Sequence, residues 1–247
     1  MAGGSDGLGY AFAEAIARRG LNLVLVARQE ARLEAAAQRL GQAYQVDVIT
    51  VTANLADFEA AKRLLGQLDV SIGLLVYNAA FAPIGPFEHM GEDDLARAVA
   101  VNVKAPLLLA KWASQPMVER GRGGIVLMSS LAGSQGSPNL VAYSATKSFN
   151  ATLAQGLWFE LKPHGVDVVA CCAGAISTPG YQEAENAKPA VGTMTPAAVA
   201  ESTLVALGKT PMVIPGPVNK LARFALTRLL SLKTAITLMS KNTKGLS

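Results

Sequence analysis

Apolar positions recur along the chain with two alternating periods. Short runs rich in Val, Leu and Ile cover Leu21–Ala27, Val46–Thr52, Ile72–Tyr77, Gly124–Ser129, Val166–Cys172 and Met212–Ile214. Runs that are apolar on consecutive positions read as strands buried on both faces. Between them, apolar residues fall at helical spacing over Leu8–Arg19, Gln29–Leu40, Asp57–Leu68, Asp93–Glu119, Tyr143–Lys162 and Pro196–Leu207. A last amphipathic stretch, Val218–Met239, has Leu221, Phe224, Leu229 and Leu232 among its apolar positions. Repeated β-α-β order predicts a parallel sheet with helices on both faces. The expected fold class is therefore α/β: a doubly wound, Rossmann-like parallel sheet in three layers, α/β/α. No linker, repeat or low-complexity segment divides the chain, so 1–247 reads as a single domain that ends in an amphipathic basic helical extension, 218–247.

One element of that pattern is missing. The stretch Gly3-Gly4-Ser5-Asp6-Gly7-Leu8-Gly9 begins almost at Met1. A glycine loop of this kind leaves the end of a strand and opens a helix, and nothing upstream forms that strand. The first strand of a doubly wound sheet lies in its middle, and losing it strips ladder hydrogen bonds from both neighbours, each worth roughly 0.5–1.5 kcal/mol net. The expectation is a chain truncated, or started late, at its N-terminus, unless the fold closes the gap or fills it from elsewhere.

Composition supports a large core: 51% of residues are hydrophobic and 16% charged, with mean hydropathy +0.30. No apolar run reaches the roughly 20 residues of a membrane-spanning helix, and the first residues lack the basic-then-apolar order of a signal peptide. Cys171 and Cys172 are adjacent, so they point to opposite faces of a strand and read as small core residues rather than a disulfide or metal pair. With only His89 and His164, a histidine-based metal site is not expected. The setting expected from this is reduced and cytoplasmic. Net charge is +4, unevenly placed: no acid follows Glu201, while Lys209, Lys220, Arg223, Arg228, Lys233, Lys241 and Lys244 do. That tail reads as a solvated helical face, or as an attraction to anionic lipid or an acyl-phosphate substrate. Nothing in the pattern suggests nucleic acid.

The glycines Gly3, Gly7 and Gly9 let the backbone turn tightly and approach a pyrophosphate, which the free N–H groups of the following helix attract. The next strand ends Val24-Leu25-Val26-Ala27-Arg28. NAD-selective sites put an acid there for the ribose 2′-hydroxyl. Arg28 instead suits a 2′-phosphate, which a guanidinium binds in bidentate fashion, so NADP(H) is the expected cofactor. Asp6 in the same loop opposes that phosphate. Asn54-Leu55 and Asn78-Ala79-Ala80 follow the next two strands, the first placed to meet the adenine, the second reading as a turn.

The chemical end is Tyr143-Ser144-Ala145-Thr146-Lys147. Residues four apart share a helix face, so the phenol and the ammonium can share a site. A carbonyl that receives hydride needs a proton for its developing alkoxide. Phenol, with a reference pKa of about 10, exchanges protons poorly near neutrality, and a nearby cation lowers that pKa. Thirteen residues upstream, Ser129-Ser130 closes a strand, and Ser130 can hold a substrate oxygen against Tyr143. Asn102 sits mid-helix, where its propensity is poor; a side chain or water inserted there bends the helix and completes a proton path to Lys147.

In this order, glycine loop, basic strand end, Asn turn, helix Asn, Ser-Ser, Tyr and Lys, the chain resembles the single-domain branch of the short-chain dehydrogenases/reductases over almost its whole length. The glycine loop and Val26-Ala27-Arg28 look most like the NADPH-dependent 3-oxoacyl and 17β-hydroxysteroid reductases in that family. The resemblance implies one dinucleotide-binding catalytic domain with Asn102, Ser130, Tyr143 and Lys147 as catalytic tetrad. It implies cofactor contacts from Gly3, Ser5, Gly7, Leu8, Gly9, Arg28, Asn54, Leu55, Asn78, Ala79, Tyr143 and Lys147. It adds Gly174, Ile176 and Thr178 of Ala173-Gly174-Ala175-Ile176-Ser177-Thr178 at the nicotinamide, and a lid within Pro179–Val191. A homo-dimer or homo-tetramer through Asp93–Glu119 and Tyr143–Lys162 is implied too, with Trp112, Trp158 and Phe159 either anchoring that interface or packing the core. The chain departs from the family pattern at Ala2, Tyr77, Ala80, Asn54 and Ala173, and at the missing strand. The leading expectation is a carbonyl reductase for a hydrophobic ketone or aldehyde, or the reverse oxidation of a secondary alcohol; the alternative is a catalytically silent NADP(H)-binding regulatory or scaffold protein.

Overall fold

The computed structural model describes residues 1–178 and 190–243, with side chains as far as 240. Its strands are β1 (Leu23–Ala27), β2 (Val48–Thr52), β3 (Leu74–Tyr77), β4 (Gly123–Ser130), β5 (Val166–Ala173) and β6 (Met212–Val213). All pairings between these strands are parallel. The helices are α1 (Gly7–Ala17), α2 (Glu30–Tyr44), α3 (Phe58–Gly66), α4 (Glu92–Val99), α5 (Ala105–Glu119), α6 (Val141–Leu161), α7 (Pro196–Ala206), α8 (Pro217–Phe224) and α9 (Leu232–Thr243). No helix among the described residues is long and apolar enough to cross a membrane.

Consecutive β4 residues point to opposite faces, and both faces are apolar. Ile125 and Leu127 join a core with Phe58, Leu109, Met117 and Val168. Val126 and Met128 join another with Phe12, Leu25, Leu33 and Val169. A sheet buried on both sides by helices is the doubly wound arrangement the run pattern implies. Cys171 and Cys172 are free, buried thiols. Trp112 and Trp158 pack against the first core, whereas Phe159 is exposed.

The middle of the sheet is unusual. Strands β1 and β2 form one pair and β3-β4-β5-β6 a second group, and among the described residues the backbone of residues 1–3 bridges the two. Ala2 bridges Val26 on one side and Tyr77 on the other. Its N–H donates to Val76 O (2.9 Å), the Gly3 N–H to Val26 O (2.8 Å), and Asn78 N–H to Ala2 O (3.0 Å). Beyond Met1 the lane opens into a cavity of about 670 Å³ lined by Ile16, Leu23, Val24, Ile49, Leu74 and Val76. No described segment fills it, so the expected gap is present, bridged at its upper end by three residues.

Two long helices expected from the sequence are interrupted. Asp93–Glu119 is α4, a wide π turn at Ala100–Lys104, and then α5. Val218–Met239 is not one helix. After α8 comes a second π turn, Ala225–Leu229, and Leu230 turns extended (φ −97°, ψ 147°). Ser231 then opens α9, its Oγ accepting from the Thr234 N–H at 3.3 Å, as a serine N-cap does. β1 also starts at Leu23 rather than Leu21, because the Asn22 side chain accepts from the Asp47 N–H (3.0 Å) and ends the ladder there.

Candidate active site

The glycine loop sits where residues 1–3 leave the sheet. Gly3 (φ +77°) and Gly7 (φ +53°) adopt conformations that favour glycine. Asp6 caps α1, its carboxylate accepting from the Gly7 N–H at 2.6 Å, and it pairs with Arg32 at 3.7 Å. Both partners are more than half exposed, so the pair is weak and Arg32 can exchange Asp6 for another anion. Asn78 Nδ2 donates to Gly3 O at 3.1 Å, which fixes the loop to the end of β3. This is a structural task for the residue that read as a turn.

A cleft of about 290 Å³ opens beside the loop. Among its lining residues are Gly3, Ser5, Arg28, Asn54, Leu55 and Ala79, so the structure gathers these six expected contacts. Leu8 and Gly9 are instead buried in the packing of α1. A Cβ on Gly7 would lie 3.2 Å from Thr178 Cγ2, which brings the segment after β5 over the loop. Ile176 bridges Met194. Gly174 packs against Asn219, where a Cβ would come within 2.7 Å of Oδ1. Of the expected lid, 179–189 lies outside the described residues. Arg32 and Arg97 also line the cleft and were not singled out from sequence. Arg97 covers the Phe81 ring at 4.2 Å. A basic residue four after Arg28 on the next helix was the available signal for Arg32; nothing comparable marked Arg97.

At the other end, the two serines separate. Ser129 is buried and donates to Lys147 O (2.7 Å), tying β4 to α6. Ser130, at the strand end, is hydrogen-bonded to the Tyr143 hydroxyl. Burial raises the pKa of Tyr143, and the Ser130 contact opposes that rise. Lys147 is buried. Its Nζ donates to Met128 O (3.0 Å) and lies 5.4 Å from the centre of the Tyr143 ring. Desolvation lowers Lys147 to about 8, with the nearby Cys171 and Cys172 thiols acting in the other direction.

That value has a consequence for stability. The folded-state pKa lies below the unfolded 10.5, so between pH 8 and 10.5 the unfolded chain holds more protons and stability rises with pH. Below pH 8 the penalty is fully present, on the order of 3 kcal/mol for a shift of this size. Lys147→Met, without cofactor, is expected to be more stable than wild type at pH 7, with the difference shrinking towards pH 10. Urea melts of both proteins across that range check it; a constant difference refutes it.

Asn102 is fully buried in the π turn. Its side chain reads Phe81 as a strand partner would: Nδ2 donates to Phe81 O (2.6 Å) and Oδ1 accepts from the Phe81 N–H (2.8 Å). Nδ2 also donates to Thr146 Oγ1 (3.1 Å). Its carbonyl accepts from Asn150 Nδ2 (3.0 Å). The side chain is thus spent on the cleft wall and α6 rather than pointed at Lys147, and the carbonyl is what the wide turn turns toward α6. Asn150 was missed in the sequence, although it lies three residues after Lys147 on the same helix face. Asn102→Ala removes two part-buried bonds to the Phe81 backbone, each worth roughly 0.5–1.5 kcal/mol net. Thermal melting should show the loss, and an unchanged melting temperature would show that Phe81 does not depend on Asn102.

The sequence profile described as short chain dehydrogenase matches residues 1–189, and the chain belongs to that oxidoreductase family, which works with a nicotinamide cofactor. A mouse protein named inactive hydroxysteroid dehydrogenase-like protein 1 is 33% identical over 68% of this chain and 52% of its own length. A very-long-chain 3-oxoacyl-CoA reductase of Phaeosphaeria nodorum is 30% identical over 85% of this chain and 63% of its own. The chain therefore spans between half and two thirds of these relatives. Among solved structures, a 7beta-hydroxysteroid dehydrogenase superposes with TM-score 0.91 at 25% identity, covering 96% of this chain and 94% of the other. A Sphingobium yanoikuyae short-chain dehydrogenase in complex with NADPH superposes at 0.80 with 32% identity, covering 91% and 89%.

Proposed function

We propose that the protein is an NADP(H)-dependent carbonyl reductase acting on a hydrophobic ketone or aldehyde, or oxidising the corresponding secondary alcohol, in a reducing cytoplasm and as a homo-oligomer. The observation that carries the chemistry is the Ser130–Tyr143 hydrogen bond with the Lys147 ammonium buried beneath the same ring. The cleft fits the cofactor: its glycine backbone is open where a Cβ on Gly3 would strike Ala79 N at 2.8 Å, and Arg28 is exposed at its rim. Ser5, Gly3 and the start of α1 would hold the pyrophosphate, Asn54 and Leu55 the adenine, and Arg28 with Arg32 a 2′-phosphate. When bound, the nicotinamide supplies the hydride.

The chain's own groups do the rest. Ser130 Oγ holds the carbonyl oxygen beside Tyr143. Tyr143 Oη gives its proton to that oxygen as negative charge develops, and the Lys147 ammonium stabilises the phenolate left behind. Asn102 positions the cleft wall at Phe81 and the Thr146 turn of α6. Cofactor choice is tested with Arg28→Ala. Loss of a charge-assisted contact should raise the KM for NADPH roughly 10–100-fold and leave that for NADH nearly unchanged. An equal rise for both cofactors would remove Arg28 from the 2′-phosphate.

A second reading is a silent cofactor-binding protein, favoured by relatives whose name calls them inactive. NADPH titration followed by a panel of ketones separates the two: binding without turnover on any member supports the silent protein.

A further inference from the structure

The C-terminal helices leave an apolar face uncovered. Leu221, Phe224, Leu229 and Leu232 are each more than half exposed. On α8, Leu221 and Phe224 are three apart. The π turn that follows, closed by Leu230 N–H to Ala225 O at 3.1 Å, winds wider than an α-helix. It thereby returns Leu229, five after Phe224, to the same side. Interspersed with these residues are the exposed Lys220, Arg228 and Lys233, and no acid occurs after Glu201; Arg223 instead turns inward, its Nε buried. Exposed Leu and Phe among cations alone, on helices too short to span a bilayer, is the composition of an element that lies in a membrane surface. The same helices border the chemical end: Ile236 of α9 lines a cavity of about 580 Å³ with Gly133, Ser137, Val141 and Ser144, next to Tyr143.

We propose that α8, its π turn and α9 form a docking surface for an anionic lipid bilayer, which seats Leu221, Phe224, Leu229 and Leu232 at the headgroup boundary with the flanking cations on the phosphates. Charge complementarity selects this occupant over a second copy of the chain, whose identical face would set cation against cation. Docking turns the Tyr143 end towards the membrane, where an apolar ketone partitions.

The test is co-sedimentation of the full chain with vesicles of phosphatidylcholine alone and of phosphatidylcholine mixed with phosphatidylserine, with no substrate or turnover involved. Partitioning onto the mixed vesicles should be roughly tenfold or more tighter and should weaken as salt is added. Lys220→Glu with Lys233→Glu should abolish the preference for phosphatidylserine. Leu221→Ser with Phe224→Ser should abolish most binding; because these side chains are exposed, the variant should melt as wild type does, which circular dichroism verifies. Absent binding, or equal binding to both vesicles, overturns the proposal. So does a solution dimer that the Leu221/Phe224 variant dissociates in a protein that ignores vesicles, since the face would then belong to a second copy.

Discussion

Tyr143→Phe is expected to lower kcat for ketone reduction by roughly 10²–10⁴-fold, the usual worth of a positioned proton donor, while the Kd for NADPH stays within a few-fold of wild type. The ring remains, so its packing over Lys147 at 5.4 Å is preserved; only the hydroxyl bonded to Ser130 is lost. The size of the effect follows from charge. Hydride arrival makes the substrate oxygen an alkoxide, a strong base that needs a proton at once. Without Tyr143 the remaining hydroxyl nearby is Ser130, a far weaker acid than a phenol beside an ammonium. Burial alone pushes the phenol the wrong way for proton release, and the Ser130 contact opposes it; a cation 5.4 Å from the ring, as Lys147 is, favours the phenolate on general electrostatic grounds. Ser130→Ala should therefore also slow the reaction, with Tyr143 still present to donate. Stopped-flow single turnovers with preloaded NADPH measure the step itself. Tyr143→Phe turning over at the wild-type rate would remove Tyr143 as the acid, and turnover absent in wild type as well would favour the silent protein.

Much of this arrangement was legible in the chain, for reasons that differ by residue. Strands buried on both faces announce themselves, because Ile125 and Val126 both need apolar neighbours on their own side. Tyr143 and Lys147 were legible because helical geometry converts a spacing of four into a shared face. Of the two serines, Ser130 was legible as the partner of the phenol, but the task of Ser129 was not: one residue of register turns Ser129 to the α6 backbone and Ser130 to Tyr143. Asn102 was legible as an oddity but not in its partners, since a π turn has no sequence signature that reveals which carbonyl it frees. Arg97 was illegible because it reaches the cleft from α4 by stacking on Phe81, a contact made between segments of the fold rather than within one. The break at Leu230 was readable in principle from the capping preference of Ser231, but the apolar period runs through it unchanged.

Gly9→Ala should be the most damaging small substitution in the cofactor loop. A Cβ built there lies 1.7 Å from Gly3 O, 2.8 Å from Gly3 C and 2.9 Å from Asn78 Nδ2. Two effects compete. Alanine favours the helix by about 1 kcal/mol over glycine, which stabilises α1. Overpacking a rigid site costs about 1–3 kcal/mol, sometimes more, and here the obstacle is backbone. Gly3 cannot retreat freely, because its N–H is bonded to Val26 O and its carbonyl to Asn78 Nδ2. Moving it also pulls on Ala2, which joins the β1–β2 pair to the remaining strands. The steric term should win, for a net loss of about 2 kcal/mol, which lowers Tm by roughly 4–8 °C in a chain of this size, and NADPH binding should fall with it. Gly66→Ala provides the contrast: Gly66 ends α3 with no atom within 4 Å of its added Cβ, so alanine should be neutral or stabilising there by up to about 1 kcal/mol. Differential scanning calorimetry of both variants without cofactor reads the two signs directly. If Gly9→Ala melted with Gly66→Ala at or above wild type, the loop would not be held against α1 and β3 in the way that makes it a cofactor cradle.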